Sequence, residues 1–532
     1  MEERNRNIYT LKRIYFITII ILLCTLLGQR FYSRKYVPVP KGQWDKLYLV
    51  LDQIEKNYVD PIEAATIVEK SLPFILAELD PHSIYLPPEE LKQADNALEG
   101  SFDGIGITFN VPNDTVVVSS VISGGPSERA GVRPGDRIIN VDETTIAGVK
   151  MAQDSIIRRL RGPRGSNVTI QVERFGASGL IPISIIRDKI EEKSVNVAYM
   201  IDKEIGYVKL SMFSKTSYEE VLKALGELMI QGMTKLVFDL RYNSGGYMEP
   251  ALRIANEFLE KGQLIMYQEG ERRIRQDYFA KTHGLASLVE LVVLINESSA
   301  SSSEILAGAL QDNDRATIVG RRSFGKGLVQ EPIYFSDYSG IRLTVARYYT
   351  PTGRCLQRPY DGGLDSYRYD LWERYRHGEL THADSIPKND SLKYVTPKGK
   401  VVYGGGGIIP DIFVSIDTTS LGAFYAGVNQ KNLQIRFAFQ FADRHREELE
   451  QIEEMDKLER FWNRFDFSSL FLKYAADHGV VPQKREWEDS KYYILTQLKA
   501  YVGRVTSMED KAFYPIIGIL DRELTEAIQV LR

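Results

Sequence analysis

Cysteine is nearly absent. Cys24 and Cys355 are the only two in 532 residues, and Cys24 lies in an apolar N-terminal run. The folded part therefore holds no internal disulfide, and no Cys/His cluster has metal-ligand spacing. Neither a zinc site nor any other cofactor is expected. Histidine is scarce too: His82, His283, His377, His382, His445 and His478 are all there are, and none sits in a recognisable triad signature. Charge of one sign is not in excess. Sixty-seven basic against seventy-one acidic residues give a net charge of −4, which excludes the basic face of a nucleic-acid-binding protein. No P-loop or G-x-G-x-x-G pattern is present. What the chain does have is the composition of folded protein, 43% hydrophobic and 26% charged, at a length that calls for several domains.

The longest apolar run is Ile14 to Gln29, with Lys12 and Arg13 before it and Arg30 after it. At 1.5 Å per residue it spans about 24 Å, short of a bilayer core of roughly 30 Å. Snorkelling of the flanking cations can close that gap. No A-x-A-like site follows, so an uncleaved membrane anchor is favoured over a signal peptide cleaved from the mature chain. Val37-Pro38-Val39-Pro40 is a stiff spacer. Residues 1–41 thus read as tail, anchor or signal segment, and spacer. In residues 42–95, Leu47, Val50, Leu51 and Ile54, then Val68, Leu72, Ile75, Leu76 and Leu79, have helical spacing and predict two core-packing helices. Asp80-Pro81-His82-Ser83 reads as a turn, with His82 structural rather than a base.

From 96 to 175 the pattern changes to short β-branched runs separated by glycine turns, such as Gly104-Ile105-Gly106-Ile107, Val116-Val117-Val118 and Val168-Thr169-Ile170-Gln171-Val172. Leu160-Arg161-Gly162-Pro163-Arg164-Gly165 is another turn. Their joint order resembles a PDZ domain, which implies that Gly104, Ile105, Gly106 and Ile107 form the loop that holds a peptide C-terminus. A glycine loop offers backbone N–H groups to a carboxylate, and the adjacent strand can accept a peptide by β-augmentation.

Residues 176–422 run twice through strand, loop and helix. Lys235 to Leu240 is a strand, Arg241 to Gly246 a glycine loop, and Pro250 to Leu259 a helix. Leu288 to Ile295 is a second strand, and Ser298 to Ser303 leads into a helix beginning near Glu304. That alternation predicts a parallel sheet with ligands at the carboxyl ends of its strands. A serine at such a turn faces backbone N–H groups that lack intrahelical partners, which suits a nucleophile whose substrate carbonyl becomes an oxyanion. Its base has to come from elsewhere. Lys326 sits between Gly325 and Gly327, and burial can lower a lysine pKa by 3–5 units from about 10.4, enough to make the amine a base near neutrality. Gln330 could orient that amine without adding charge. The competing reading is that Ser301 is a helix cap and Lys326 is solvated.

These segments carry a further resemblance. Ser299-Ala300-Ser301-Ser302-Ser303-Glu304-Ile305 and Phe324-Gly325-Lys326-Gly327-Leu328-Val329-Gln330 are similar to the paired motifs of the carboxyl-terminal processing (tail-specific) proteases, with Ser302 in place of an alanine. Asp239-Leu240-Arg241-Tyr242-Asn243-Ser244-Gly245-Gly246 resembles the same family's glycine loop. The resemblance implies Ser301 as nucleophile, Lys326 as base and Gln330 as its orienting partner. It implies an oxyanion hole from Gly245 or Gly246 with the N–H of Ser302. The fold expected is a multidomain α/β protein with an N-terminal helical segment, an inserted PDZ domain, a crotonase-like α/β catalytic core and a helical C-terminal extension over 423–532. Residues of about 359–400 look like an insertion in the core. The function expected is a serine endopeptidase acting on protein substrates with free C-termini, held at the bacterial inner membrane with its catalytic part in the periplasm, or secreted there after signal cleavage. A homo-oligomer or a regulatory adaptor stays open as a partner. Two rival readings are a catalytically silent PDZ scaffold and a crotonase-like acyl-thioester enzyme.

Overall fold

A computed structural model describes residues 45–111, 114–418 and 421–532. The apolar run at 14–29 lies outside them, and with it the anchor expectation. Among the described residues, no helix is long and apolar enough to cross a membrane.

The chain forms two compact units. The smaller takes the described residues up to Gln93 together with Val329–Val345. Its helices Asp45–Asn57 and Ala64–Ala77 fall where periodicity predicted them. The expectation that both pack into a core needs correction. Leu47 and Val50 are 40% and 48% exposed, because spacing shows which residues share a face and not whether another element covers it. In the turn that follows, Asp80 accepts from the N–H groups of His82 and Ser83 and from the Ser83 hydroxyl. Strand Ile84–Leu86 then pairs antiparallel with Gly340–Arg342, and the Gln330 amide donates to the His82 carbonyl.

The larger unit holds two six-stranded sheets. One is the glycine-punctuated region. Its strands Ile107–Asn110, Val116–Val121, Arg137–Val141, Asn167–Glu173 and Ile181–Ile186 are antiparallel neighbours, and Thr144–Thr145 adds to the third. The sheet thus runs past residue 175. β-branched residues at alternate positions (Val168, Ile170 and Val172 are fully buried) fill its inner face together with Ile156 and Leu160 of helix Gln153–Leu160.

In the other sheet, Val195–Met200 pairs antiparallel with Ile205–Leu210. Lys235–Asp239, Glu290–Ile295, Thr317–Gly320 and Ile412–Phe413 follow in parallel. Strands buried on both faces read as continuous apolar runs, as Leu291 to Ile295 does. Register sets Asp239 beside Leu294 and Ile295 beside Gly320. The glycine loop, the serine turn and the Lys326 loop therefore leave three adjacent strands at the same edge, the edge where α/β sheets bind ligands.

Beyond Gly422 the chain is helical. Phe437, Phe441, Phe461, Phe467 and Phe471 form its aromatic core. The last helix, Arg522–Leu531, leaves that bundle and packs Leu524, Ala527 and Leu531 on Val237, Val292 and Val319 of the parallel sheet. Each buried leucine there is worth about 1.5–3 kcal/mol. Just before it and in its first turn, Asp521 and Glu523 accept from Arg241, and Glu523 also from Arg321.

Candidate active site

The serine run changes character residue by residue once folded. The Ser299 hydroxyl donates to the Leu240 carbonyl at 2.8 Å, and that of Ser303 to the Asn243 carbonyl at 2.8 Å. The Ser302 hydroxyl donates to the carbonyls of Gly246 and Tyr247, at 3.0 and 3.2 Å. Those three are buried and hold the helix start against the glycine loop. Ser301 is half-buried and stands at the N-cap of helix Ser302–Asp312 with φ +54° and ψ −114°. A side chain in that region costs of order 1–3 kcal/mol, and such strain occurs where a sharp strand-to-helix turn presents a nucleophile.

The strain is held by hydrogen bonds on both sides of the residue. Ser301 N–H donates to Glu304 Oε2 at 2.9 Å, and the Ser301 carbonyl accepts from the N–H groups of Glu304 and Ile305. Glu304 is fully buried, and its carboxylate also accepts from the Ser323 hydroxyl at 2.5 Å, Gly325 N–H at 2.7 Å and Lys326 N–H at 2.8 Å. Burial pushes its pKa up, opposed by these four donors. One buried carboxylate therefore ties the Ser301 turn to the Lys326 loop. From sequence, Glu304 marked the helix start and stood in the first motif without a role of its own, although an acid directly after a serine run was a visible signal.

The Lys326 loop is fixed along its length. Phe324 N–H reaches the Ser299 carbonyl, Gly327 N–H the Gln357 side-chain oxygen, and Arg358 N–H the Gly325 carbonyl. A Cβ on Gly327 would stand 2.6 Å from Gln357 N, so the glycine permits that approach. The Arg358 guanidinium lies over the Phe324 ring at 4.1 Å and the Tyr367 ring at 3.8 Å. The segment expected as an insertion thus packs directly on this loop. Lys326 itself is half-buried.

The glycine loop approaches from the next strand. Asn243 braces it, donating to the Leu210 carbonyl and accepting Gly245 N–H at 2.9 Å. A Cβ on Gly245 would stand 2.8 Å from Ser301 Cβ and 3.0 Å from Ser302 N, so this backbone lies against the nucleophile turn. Of the two glycines left open by sequence, Gly245 has its N–H engaged by Asn243. Under the loop, Asp239 is fully buried and bonded to Arg241 and Tyr207, with Lys209 at 3.3 Å. Burial raises its pKa, but the Arg241 and Lys209 charges and the hydrogen bonds outweigh that and hold it well below the usual carboxylate range. No group of acidic, histidine and cysteine side chains among the described residues could hold a metal ion.

A parallel α/β sheet carrying a strained serine, a lysine loop and a glycine loop at one edge, with a PDZ domain ahead of it, is the architecture of a serine-type peptidase. Residues 204–364 match peptidase family S41, residues 104–197 match the PDZ domain, and residues 424–506 match a family of unknown function (DUF8443). The carboxy-terminal-processing protease of Bartonella bacilliformis is 35% identical over 312 residues, covering 58% of this chain and 71% of the relative. Carboxy-terminal processing protease CtpA of Bacillus subtilis is 31% identical over 335 residues, covering 63% and 70%. A solved photosystem II D1 C-terminal processing protease aligns over 74% of this chain and 92% of that one, at 27% identity and a TM-score of 0.38. The chain belongs to the carboxy-terminal processing protease family.

Proposed function

We propose that this C-terminal processing protease cleaves with a Ser–Lys dyad. Ser301 Oγ attacks the peptide carbonyl while Lys326 Nζ, neutral at the start, takes the hydroxyl proton. The amine then returns the proton to the leaving nitrogen, and an activated water hydrolyses the acyl-enzyme. The observation that carries the reading is the shared acceptor: Ser301 N–H and Lys326 N–H both end on Glu304 Oε2, which keeps the two backbones within the span of one carboxylate. Gly246 N–H and Ser302 N–H stabilise the oxyanion, since Gly245 N–H is already engaged. Gln330 orients Lys326, a role taken from the motif.

The PDZ domain captures the substrate C-terminus. Gly104-Ile105-Gly106-Ile107 supplies the carboxylate loop, with Gly106 at φ +76°, and Ile107–Asn110 pairs only with Val116–Val121 among the described residues, so one strand edge is open for β-augmentation. The divisions expected from sequence are 1–41, 42–95, 96–175, 176–422 and 423–532; because Ile181–Ile186 pairs with Asn167–Glu173, the proposed boundary between the second and third folded segments moves from 175 to beyond Ile186. The proposed location is the bacterial envelope, anchored through residues 14–29 with the catalytic part in the periplasm.

The test uses casein as an unfolded substrate and a fluorophosphonate as a serine-directed label. Ser301→Ala should abolish both cleavage and labelling, and Lys326→Ala should abolish cleavage with the fold intact by circular dichroism. Full activity in Lys326→Ala would remove the dyad, and an unlabelled wild-type serine would leave a PDZ scaffold.

A further inference from the structure

We propose that Tyr348 is a positioning residue for this reaction, its hydroxyl clamping the backbone of the nucleophile to the backbone of the base. The inference rests on the Ser301–Lys326 assignment and adds a residue to it. The Tyr348 hydroxyl stands 2.5 Å from the Lys326 carbonyl and 3.2 Å from the Ser301 carbonyl, and the side chain is 1% exposed. On the opposite side of the same two residues, Glu304 Oε2 accepts both N–H groups. Ser301 and Lys326 therefore share one donor for their carbonyls and one acceptor for their N–H groups.

The phenol has the protonation state that work needs. Burial and then the nearby Glu304 charge push the Tyr348 phenol well above its ordinary range, so it stays a donor at working pH. The hydroxyl has one proton to give, which is directed to the shorter contact at Lys326 and leaves Ser301 the weaker share. The phenol is itself fixed by the strand that carries it: Tyr348 N–H donates to the Gly327 carbonyl. The consequence is that the Lys326 backbone is pinned at N–H and carbonyl, so the amine swings only about its own side-chain torsions. A strained Ser301 at φ +54° is likewise denied the relaxation that would carry its hydroxyl away. Displacement of about 1 Å between reacting groups costs about 100-fold.

The experiment compares wild type with Tyr348→Phe, which deletes the hydroxyl and keeps the ring. Fluorophosphonate labelling run to completion gives the fraction of competent sites; its rate, and kcat on casein per labelled site, give their quality. The expected result is complete labelling, with the labelling rate and kcat both down about 10- to 100-fold and KM within about twofold. A purely structural role instead lowers the labelled fraction and leaves kcat per labelled site at the wild-type value; that result overturns the inference. Should Tyr348→Phe fail to fold, replacing Tyr348 with 3-fluorotyrosine, which keeps the hydroxyl on the same two carbonyls but changes its strength as a donor, must change kcat per labelled site, and wild-type kcat in that protein overturns the clamp. Failure of the underlying dyad is read separately: it shows as full cleavage by Lys326→Ala, whatever Tyr348→Phe does.

Discussion

Gly246→Ala tests the oxyanion assignment through a single methyl group. Gly246 has φ +145°, a conformation that side chains rarely adopt, and a Cβ there would stand 2.2 Å from the Phe213 carbonyl oxygen, 2.7 Å from its carbon and 3.0 Å from its Cα. All three are backbone atoms of a fully buried residue. That residue is fixed to the loop by Phe213 N–H to the Gly245 carbonyl at 2.9 Å and Tyr247 N–H to the Phe213 carbonyl at 2.7 Å. Relief requires the loop to withdraw by about 1 Å to reach ordinary van der Waals separation. Backbone strain of about 1–3 kcal/mol, with up to about 1 kcal/mol for each weakened hydrogen bond, puts the stability loss near 2–4 kcal/mol. The displaced atom is the proposed oxyanion donor, and losing one such donor lowers kcat by about 10²–10³. The assay is casein cleavage per phosphonate-labelled site, with urea unfolding alongside. A variant that is destabilised as expected yet turns over at the wild-type rate per labelled site would refute Gly246 N–H as a donor.

Two further outcomes follow from the same site. Ser302→Ala restores the alanine of the family motif but strands the Gly246 and Tyr247 carbonyls; a loss of about 1–2 kcal/mol and a fall in kcat of about tenfold are expected, checked by urea melts and steady-state rates. Asp239 governs acid stability: its folded pKa is depressed, chiefly by Arg241 and Lys209 acting against burial, so its ionised form stabilises the fold fully above the unfolded value of about 3.9 and less as pH falls below it. Melting temperature should hold from pH 7 to 5 and drop below about pH 4, with a shallower drop in Asp239→Asn. Parallel loss in both proteins would assign the acid sensitivity to other groups.

The motif pairs, the alternation of strand, loop and helix, and the glycine-turn order of the PDZ region are local patterns, and they were sufficient for the family and for the architecture of the core. They also placed Ser301 and the glycine loop at the ends of strands that turn out to be adjacent. The sequence could not separate Gly245 from Gly246, because the choice rests on the Asn243 side chain folding back onto one N–H. Nor could it separate the serines by chemistry: Ser299, Ser302 and Ser303 differ from Ser301 only through carbonyls contributed by the loop at 240–247.

Glu304 and Tyr348 were visible letters whose task was not legible. Their partners lie 22 and 47 residues away along the chain, and no helical or strand periodicity reports a bond of that reach. The same holds for the C-terminal tail. A helical extension over 423–532 was expected, but the docking of Arg522–Leu531 on the catalytic sheet and the contact of Asp521 and Glu523 with Arg241 depend on long-range packing. Exposed apolar residues in Asp45–Asn57 show the converse, since periodicity defines a face and tertiary structure alone decides what covers it. Local sequence determined the chemistry on offer here; tertiary structure decided which atoms are held still enough to use it, because buried hydrogen bonds between distant segments fix positions that backbone preferences leave free.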